Sequence, residues 1–295
     1  MKNQITPCLW FDNQAETAAK FYTSLFEDSK IGTISRYGKE GFEVHGQAEG
    51  TVMTVAFQIG GQSFTALNGG PYFKINPSIS FYVVCETEKE VDLLWEQLSE
   101  GGTLLMPLEK YDWSEKYGWL NDRFGLSWQI SLGKFSDTGC KFSPAFLFMG
   151  PKHTMAEEAV HFYTSVFPDS GIKGILKYAA GENETEGTVK HAQFQLQNQT
   201  FMIMGNSMTP EFDFNEAISF QVSCDTQDEI DYYWNKLSEG GSEGQCGWLK
   251  DKYGVSWQII PSILDELINN PEKAGNVTRA FLQMKKFDIA KLLQA

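Results

Sequence analysis

Amide, hydroxyl and imidazole side chains recur at alternate positions of several predicted strands in this chain of 295 residues. Alternation with a period of two places such side chains on one face of a strand, opposite the apolar residues that pack in a core. Sheets that curl into a cup would gather these groups at the floor, where they could hydrogen-bond a neutral or mildly polar small molecule. The candidate binding residues on strands are Thr54, Gln58, Ser80, Tyr82, Gln129, His191, Gln193, Gln195, Ser219, Gln221 and Gln258. Trp10, Asn68 and Cys246 are further candidates, since each is expected to reach such a cavity.

Nucleophilic and acid–base chemistry has less support from the residue pattern. Cys85 and Cys224 each end a predicted strand beside an acidic residue, with no neighbouring His or Lys to activate the thiol. His191 is the one histidine on a candidate binding face, and two interpretations stay open for it. It is either a ligand-binding or acid–base group or a strand histidine satisfied by its neighbours.

Three sequence segments occur twice in the same order. FYTSLFEDS returns as FYTSVFPDS, LWEQLSEGG returns as YWNKLSEGG, and GWLNDRFGLSWQI returns as GWLKDKYGVSWQI. The chain is therefore predicted to contain two tandem copies of one fold, residues 1–136 and 141–260, joined by a linker within 133–142. The first copy carries an additional segment, LLMPLEKYDWSEKY, which is interpreted as a loop rich in aromatic and charged residues.

Each copy reads as a strand, a helix and three strands, followed by the same order again. The first strand is predicted over residues 5–11 and the first helix over about 13–26, where apolar residues recur at helical spacing. Short strands are expected at 104–106 and 119–121. These elements predict an α+β fold made of four βαβββ units. A helical extension, residues 261–295, is expected to form two or three short helices with a break near Asn270 and to pack on the body as structure.

Composition and charge exclude several partners. The net charge is −14 with no basic stripe, so nucleic acid is not expected as a partner. No apolar stretch approaches the roughly 18 residues of a membrane span, and the first residues do not resemble a signal peptide. Five cysteines without a Cys-x-x-Cys pair indicate neither a disulfide framework nor a zinc knuckle. Free thiols are typical of a reducing compartment, and a cytoplasmic location is expected.

Long segments of the chain resemble a known group of proteins. TPCLWFDNQAETAAKFYTSLFEDSKI, TALNGGPYF, GWLKDKYGVSWQIIPSILDEL and MKKFDIAKL, together with the four βαβββ units, resemble the vicinal oxygen chelate superfamily. Its members include glyoxalases, bleomycin-resistance proteins and extradiol dioxygenases. More narrowly, the segments are similar to the PhnB-like family, often labelled a 3-demethylubiquinone 3-methyltransferase domain. The resemblance implies tandem glyoxalase/bleomycin-resistance-like domains with curved mixed sheets around a cavity. It also implies a pseudo-dimer within the chain and leaves a homodimer open.

The resemblance also bears on metal binding. Catalytic members of the superfamily hold a divalent ion with His and Glu side chains, and their positions fall near Pro7, Pro144, Ile79 or Ser80, Gln129 and Gln258 in this chain. Proline offers no ligand atom, and a neutral amide is a weaker ligand than a carboxylate. We therefore expect no metal and no other cofactor, with a divalent metal ion as the alternative.

Three hypotheses for function follow. The first is a metal-independent small-molecule-binding protein of this superfamily. The second is a metal-dependent lyase, isomerase or oxygenase of the same fold, and the third is a scaffold with a filled cavity. Methyl transfer in a Rossmann-type site is rejected, because the chain has no Gly-x-Gly-x-x-Gly turn to hold S-adenosylmethionine. Whether the protein is an enzyme stays open.

Overall fold

A computed structural model describes residues 5–209 and 211–295. The described residues form sixteen strands and nine α-helices, with a 3₁₀-helix at Gly150–Met155. In chain order they are β1 (Ile5–Phe11), α1 (Ala15–Leu25), β2 (Lys30–Arg36), α2 (Phe42–His45), β3 (Val52–Ile59), β4 (Gln62–Asn68), β5 (Ile79–Cys85), α3 (Glu88–Ser99), β6 (Thr103–Tyr111), β7 (Ser114–Asn121), β8 (Ser127–Leu132) and α4 (Phe135–Thr138). They continue as β9 (Phe142–Met149), α5 (Ala156–Val166), β10 (Gly171–Lys177), β11 (Val189–Leu196), β12 (Gln199–Asn206), β13 (Ile218–Cys224), α6 (Gln227–Ser238), β14 (Ser242–Glu243), β15 (Trp248–Lys250), β16 (Ser256–Pro261), α7 (Leu264–Ile268), α8 (Ala274–Phe281) and α9 (Ile289–Gln294).

The chain divides into two compact units that combine halves of both sequence copies. The first unit contains the chain up to Lys74 together with Asn215–Ala295, and the second contains Ile75–Phe214. The sheet of the first unit has the strand order β14-β15-β16-β13-β1-β4-β3-β2, and that of the second has the order β10-β11-β12-β9-β5-β8-β7-β6. The predicted α+β class with four βαβββ units is confirmed. The predicted ranges 1–136, 141–260 and 261–295 describe the repeats of the sequence, whereas each compact unit takes one half of each repeat.

Strand pairing between the copies joins the two halves of each sheet. In the first unit β1 runs antiparallel to β13, with Thr6 opposite Gln221 and Cys8 opposite Ser219. In the second unit β5 runs antiparallel to β9, with Tyr82 opposite Ser143. These pairings continue each sheet across eight strands.

The helices cover one face of each sheet, and the core lies between them. Ala15, Ala18, Ala19 and Tyr22 of α1 are fully buried, because small residues at helical spacing allow the helix to approach the strands closely. The Tyr22 ring stacks on Phe57 with ring centroids 6.2 Å apart. This packing leaves the opposite face of the sheet for the polar residues of the alternating strands.

One repeated aspartate closes the turn before the last strand of each copy. The Asp122 carboxylate accepts hydrogen bonds from the backbone N–H groups of Phe124 and Leu126, at 2.7 and 3.1 Å, and from the indole N–H of Trp128, at 2.8 Å. Asp251 makes the same three contacts in the second copy. Both residues act as turn caps.

The additional segment of the first copy was expected to be a loop between short strands, and that expectation was wrong. It forms a long hairpin in which β6 and β7 pair from Thr103 and Asn121 to Tyr111 and Ser114. Three shifts of register interrupt this pairing, so the alternation of apolar and polar residues is lost along the hairpin. Stacking of Tyr111 on Trp113, with centroids 4.9 Å apart, stabilises its tip.

The C-terminal extension forms three short helices, α7, α8 and α9, as predicted, with the break at residues 269–273. The backbone N–H of Cys246 donates to the carbonyl of Met284 at 2.7 Å, and Arg279 of α8 pairs with Glu40 at 2.9 Å. The extension therefore packs on the first unit. Within the described residues, no helix has the length and apolar character needed to cross a membrane.

Candidate ligand-binding site

Polar side chains form a row across the sheet of the first unit, on the face opposite its helices. The row is set by strand register, which places Lys30 opposite Gln58, Gln58 opposite Ser63, Thr6 opposite Gln221, and Gln221 beside Gln258. Because side chains of paired residues lie on the same face, the row brings residues from both sequence copies together.

The C-terminal extension shows that this face is concave. The segment 262–269 begins where β16 ends and reaches β2, where the Ser35 hydroxyl donates to the side-chain carbonyl of Asn269 at 3.1 Å. Four strands separate β16 from β2, so the path along the sheet is roughly 24 Å at about 4.8 Å per strand. The segment is helical from Ile263 to Asn269 and rises only about 9 Å over those six steps. The sheet must therefore curve, and we call its concave polar face the cup.

A cavity of about 720 Å³ occupies the cup. This volume lies within the range of about 300–1,000 Å³ that is common for small-molecule sites. Hydroxyl groups dominate the lining, and they come from Thr6, Thr33, Ser35, Thr54, Ser63, Thr65, Ser223 and Ser262. The amides of Gln58 and Gln221 and the charged groups of Lys30, Asp225 and Asp265 add to its polar lining. The lining offers both donors and acceptors to a polar ligand.

A chain of hydrogen bonds fixes the amide of Gln221 at the floor of the cup. The Thr65 hydroxyl donates to the Gln221 carbonyl oxygen at 2.9 Å, and the Gln221 amide nitrogen donates to Gln258 at 3.3 Å. Gln258 in turn donates to the hydroxyl of Ser219 at 2.8 Å. Gln221 is thereby held in one orientation, with a second donor hydrogen and a second acceptor lone pair available to a ligand.

Cys8 lies beneath this floor and was not among the predicted site residues. Its thiol hydrogen-bonds to Gln258 and Ser219, and burial raises its pKa to about 11, so it stays protonated at neutral pH. Alternation along β1 placed Thr6, Cys8 and Trp10 on one face, and this signal was sufficient to find it. A buried protonated thiol contributes packing and a weak hydrogen bond to the floor.

The predicted site residues of the first unit fall into three groups. Thr54, Gln58 and Gln221 line the cavity. Ser219 and Gln258 lie just below it and orient Gln221.

Trp10, Asn68 and Cys246 make structural contacts outside this cavity. The Trp10 indole N–H donates to the Gly70 carbonyl at 2.7 Å. Asn68 accepts from the Ala15 N–H at 2.8 Å and so caps the start of α1. Cys246 occupies a left-handed turn with φ of 57°.

The six remaining predicted residues lie in the second unit. The Tyr117 hydroxyl donates to Gln129 at 2.7 Å, and Gln129 donates to Ser80 at 2.8 Å, so these polar groups are satisfied within the protein. Burial raises the pKa of Tyr82 and lowers that of His191, because both lose contact with water. Gln193 and Gln195 lie on β11 with His191.

The linker between the sequence copies covers part of the polar face of the second sheet. Gln193 donates to the Asp137 carbonyl at 2.9 Å, and the Thr200 hydroxyl donates to the Thr138 carbonyl at 2.5 Å. Backbone groups of the linker therefore occupy positions where a ligand would contact β11 and β12. The two sheets thus present different environments, although their strands are equivalent in sequence.

The donor set in either sheet does not fit a His/Glu metal centre. Pro7 and Pro144 lie opposite Phe220 and Phe81, while Gln129 and Gln258 are engaged in amide hydrogen bonds. Within residues 5–209 and 211–295, His, Cys, Asp and Glu form no group of three or more that could hold a metal ion.

Comparison with known proteins identifies the family. The model of the 3-demethylubiquinone-9 3-methyltransferase family matches residues 3–131 and 140–260. The chain belongs to this family. No curated protein matches the chain.

Some similar solved structures match a little less than half of the chain, and others match nearly all of it. The PhnB protein from Bacillus cereus is 44% identical, and the match covers 43% of this chain and 98% of that protein with a TM-score of 0.40. Glyoxalase I from Zea mays is 12% identical, and the match covers 90% of this chain and 96% of that protein with a TM-score of 0.55. The likeness to glyoxalase I shows a shared fold. The predicted fold of the vicinal oxygen chelate superfamily is confirmed.

Proposed function

We propose that the protein binds a small polar molecule in the cup of the first unit and does so without a resident metal ion. The observation that carries this proposal is the amide of Gln221, which hydrogen bonds to Thr65 and Gln258 hold at the floor of a cavity of about 720 Å³. A preoriented polar group costs little entropy when a ligand binds, so it favours selective binding.

The lining supports hydrogen bonding as the main source of selectivity. Among the described residues, eight hydroxyl-bearing side chains and two amides line the cavity, and Phe57 and Phe64 are the aromatic side chains. A ligand rich in hydroxyl, carbonyl or amino groups can satisfy these donors and acceptors. An apolar ligand would leave them unpaired, at about 1–3 kcal/mol for each group that loses water.

A metal-dependent lyase, isomerase or oxygenase is less well supported. Amides stand at the positions where the resemblance implies a carboxylate, and they already hydrogen-bond to Ser80 and Ser219. The family description names a methyltransferase, yet the chain has no glycine-rich turn for S-adenosylmethionine. Neither observation favours a reaction over simple binding.

A binding screen tests the proposal. Polar small molecules are ranked by the rise in melting temperature of the full chain, and their affinities are measured by calorimetry. We expect Gln221→Ala to weaken the best ligand by about 10–100-fold, the equivalent of one or two hydrogen bonds at about 1.4 kcal/mol per tenfold. Gln193→Ala, which changes an amide of the second sheet, is the matched control and should leave binding unchanged.

Two results would overturn the proposal. One is binding of a stoichiometric divalent ion, detected by elemental analysis, together with loss of ligand binding on chelation. The other is a screen in which no polar compound binds, which would favour a scaffold with a filled cavity.

A further inference from the structure

The segment Ser262–Asn269, which we call the strap, is a wall of the cup. Ser262 and Asp265 line the cavity together with residues of β2, β3, β4, β1 and β13. The sequence predicted only that the C-terminal extension packs on the body of the protein. The strap instead contributes side chains directly to the candidate site.

Both ends of the strap are fixed. At its start the Ser262 N–H donates to the Cys224 carbonyl at 2.8 Å, beside the end of β13. At its end Asn269 accepts from the Ser35 hydroxyl on β2 at 3.1 Å. α8 continues the attachment through the ion pair of Arg279 with Glu40 at 2.9 Å. The strap therefore holds Asp265 over the cup at a defined place.

Two carboxylates lie at the same end of the cavity. The contact between Ser262 and Cys224 places Asp225, the next residue after Cys224, near the first turn of α7, where Asp265 lies. Ser223 and Ser262 add hydroxyl groups to this end of the lining. Lys30 lines the cavity from the edge strand β2.

None of the three charged residues of the cavity is paired within the part of the chain that the structure describes. Lys30, Asp225 and Asp265 make no ion pair, whereas charged side chains elsewhere in the described residues do, among them Lys152 with Asp213 and Lys250 with Glu216. Part of the Asp265 carboxylate is buried in the cup, and the loss of water there raises its pKa. The rest of the side chain is exposed to solvent. A partly desolvated carboxylate without a protein counter-charge favours binding of a cation.

Resting on the proposed function, we infer that the strap completes the site and that Asp265 binds the protonated amine of a hydroxyl-bearing ligand. The hydroxyl groups of the ligand then meet the Thr, Ser and Gln side chains of the floor, and Lys30 donates a hydrogen bond to an oxygen atom of the ligand at the β2 edge. The linker that covers the second sheet offers its carbonyl groups to Gln193 and Thr200 instead, so the inference concerns the first unit alone.

Matched pairs of amines test the inference. Ethanolamine, 2-amino-1,3-propanediol and glucosamine are each compared with their N-acetylated forms, which keep the hydroxyl groups but lose the charge. Binding to the full chain is measured by calorimetry and thermal shift. We expect at least one free amine to bind at least tenfold more tightly than its N-acetylated form.

Two substitutions in α7 test whether Asp265 is the residue that binds the amine. Asp265→Asn keeps the size and a hydrogen-bond acceptor of the side chain and should weaken amine binding about tenfold or more. Glu266→Gln changes the next residue on the same helix, which does not line the cavity, and should leave amine binding unchanged. Amine binding by the unchanged protein should also weaken as the pH falls and Asp265 becomes protonated, and because burial raises its pKa this should begin at a higher pH than for a solvated aspartate. Lys30 and Asp225 are the other charged groups in the cavity lining, and Glu266 is the next residue on α7.

The outcomes separate this inference from the proposed function. If neutral compounds bind as tightly as the amines, or if Asp265→Asn binds amines normally, the inference is wrong. If neutral polar compounds bind to the unchanged protein and Gln221→Ala weakens this binding, the proposed function stands. Failure of all charged and neutral compounds to bind would overturn both.

Discussion

The variant Asp251→Ala tests which parts of the chain unfold cooperatively. These parts are either the two compact units of the structure or the two copies of the sequence. Asp251 accepts hydrogen bonds from the N–H groups of Tyr253 and Val255, at 2.9 and 3.0 Å, and from the indole N–H of Trp257, at 2.9 Å. Trp257 is fully buried, so truncation leaves its N–H without this acceptor.

The expected magnitude follows from these three contacts. A hydrogen bond to a charged group contributes roughly 1.5–3 kcal/mol, but neighbouring contacts do not add, and water can reach part of the space that is left. We therefore expect Asp251→Ala to lower the free energy of unfolding by about 3–5 kcal/mol. This is a large part of the 5–15 kcal/mol that is typical for a folded domain. This loss corresponds to amide exchange that is faster by a factor of roughly one hundred or more in the affected unit.

The assay is hydrogen exchange of backbone amides, measured by mass spectrometry in two helices. α1 belongs to the first sequence copy but shares a unit with Asp251, while α5 belongs to the same copy as Asp251 but lies in the other unit. Asp251→Ala should accelerate exchange in α1 and spare α5. Asp122→Ala, the matched change in the other unit, should accelerate exchange in α5 and spare α1.

The opposite pattern would refute the reasoning. If Asp251→Ala exposes α5 while α1 stays protected, the sequence copies are the bodies that unfold. If either variant exposes both helices to the same degree, the two units unfold together.

Two further predictions concern a helix cap and a partly buried histidine. Thr226 and Glu229 form a reciprocal capping box at the start of α6, so Thr226→Ala should reduce stability by roughly 0.5–2 kcal/mol in urea denaturation, and an unchanged midpoint would contradict this. Burial lowers the pKa of His191 below its value in the unfolded chain, so its stability contribution is complete above the unfolded pKa, near 6.5, and is lost as the pH falls through the folded pKa. His191→Gln should therefore flatten the decline in melting temperature between pH 7 and pH 5, with little effect on ligand binding in the cup.

The sequence predicted the individual strands well because alternation is a local property. Residues 5–11 were predicted as the first strand and form β1, and the alternation of β3 correctly separated Thr54 and Gln58 from the core residues Val55 and Phe57. Each strand carries this information in its own residues, so no knowledge of its neighbours is needed.

The partner of each strand could not be predicted in the same way. β1 pairs with β13, but the hydrogen bonds of the ladder join backbone groups that every residue has. The repeated units also present similar apolar faces, so the local pattern does not distinguish one partner from another. The candidate residues were therefore predicted as one set, although Gln221 and Gln129 belong to different sheets.

The charged residues Asp265 and Lys30 of the cup were not predicted, for a related reason. The helical pattern of the C-terminal extension indicates which side chains are apolar, but it does not indicate that residues 262–269 cross a concave face. Asp265 was consequently not a candidate. Lys30 was missed because it begins an edge strand with mostly exposed residues and little alternation.

The pairing of β1 with β13 also has a consequence for the order in which the chain folds during synthesis. The second unit is continuous in sequence, so all its strands have been made once Phe214 is complete. The first four strands of the chain, in contrast, wait for β13, which begins only after about 140 further residues have been added. At roughly 5–20 residues per second this delay lasts about 7–28 s. During that time β1 has an unpaired edge, and the backbone groups of such an edge can pair with another chain, so aggregation of the nascent first unit is the hazard of this topology.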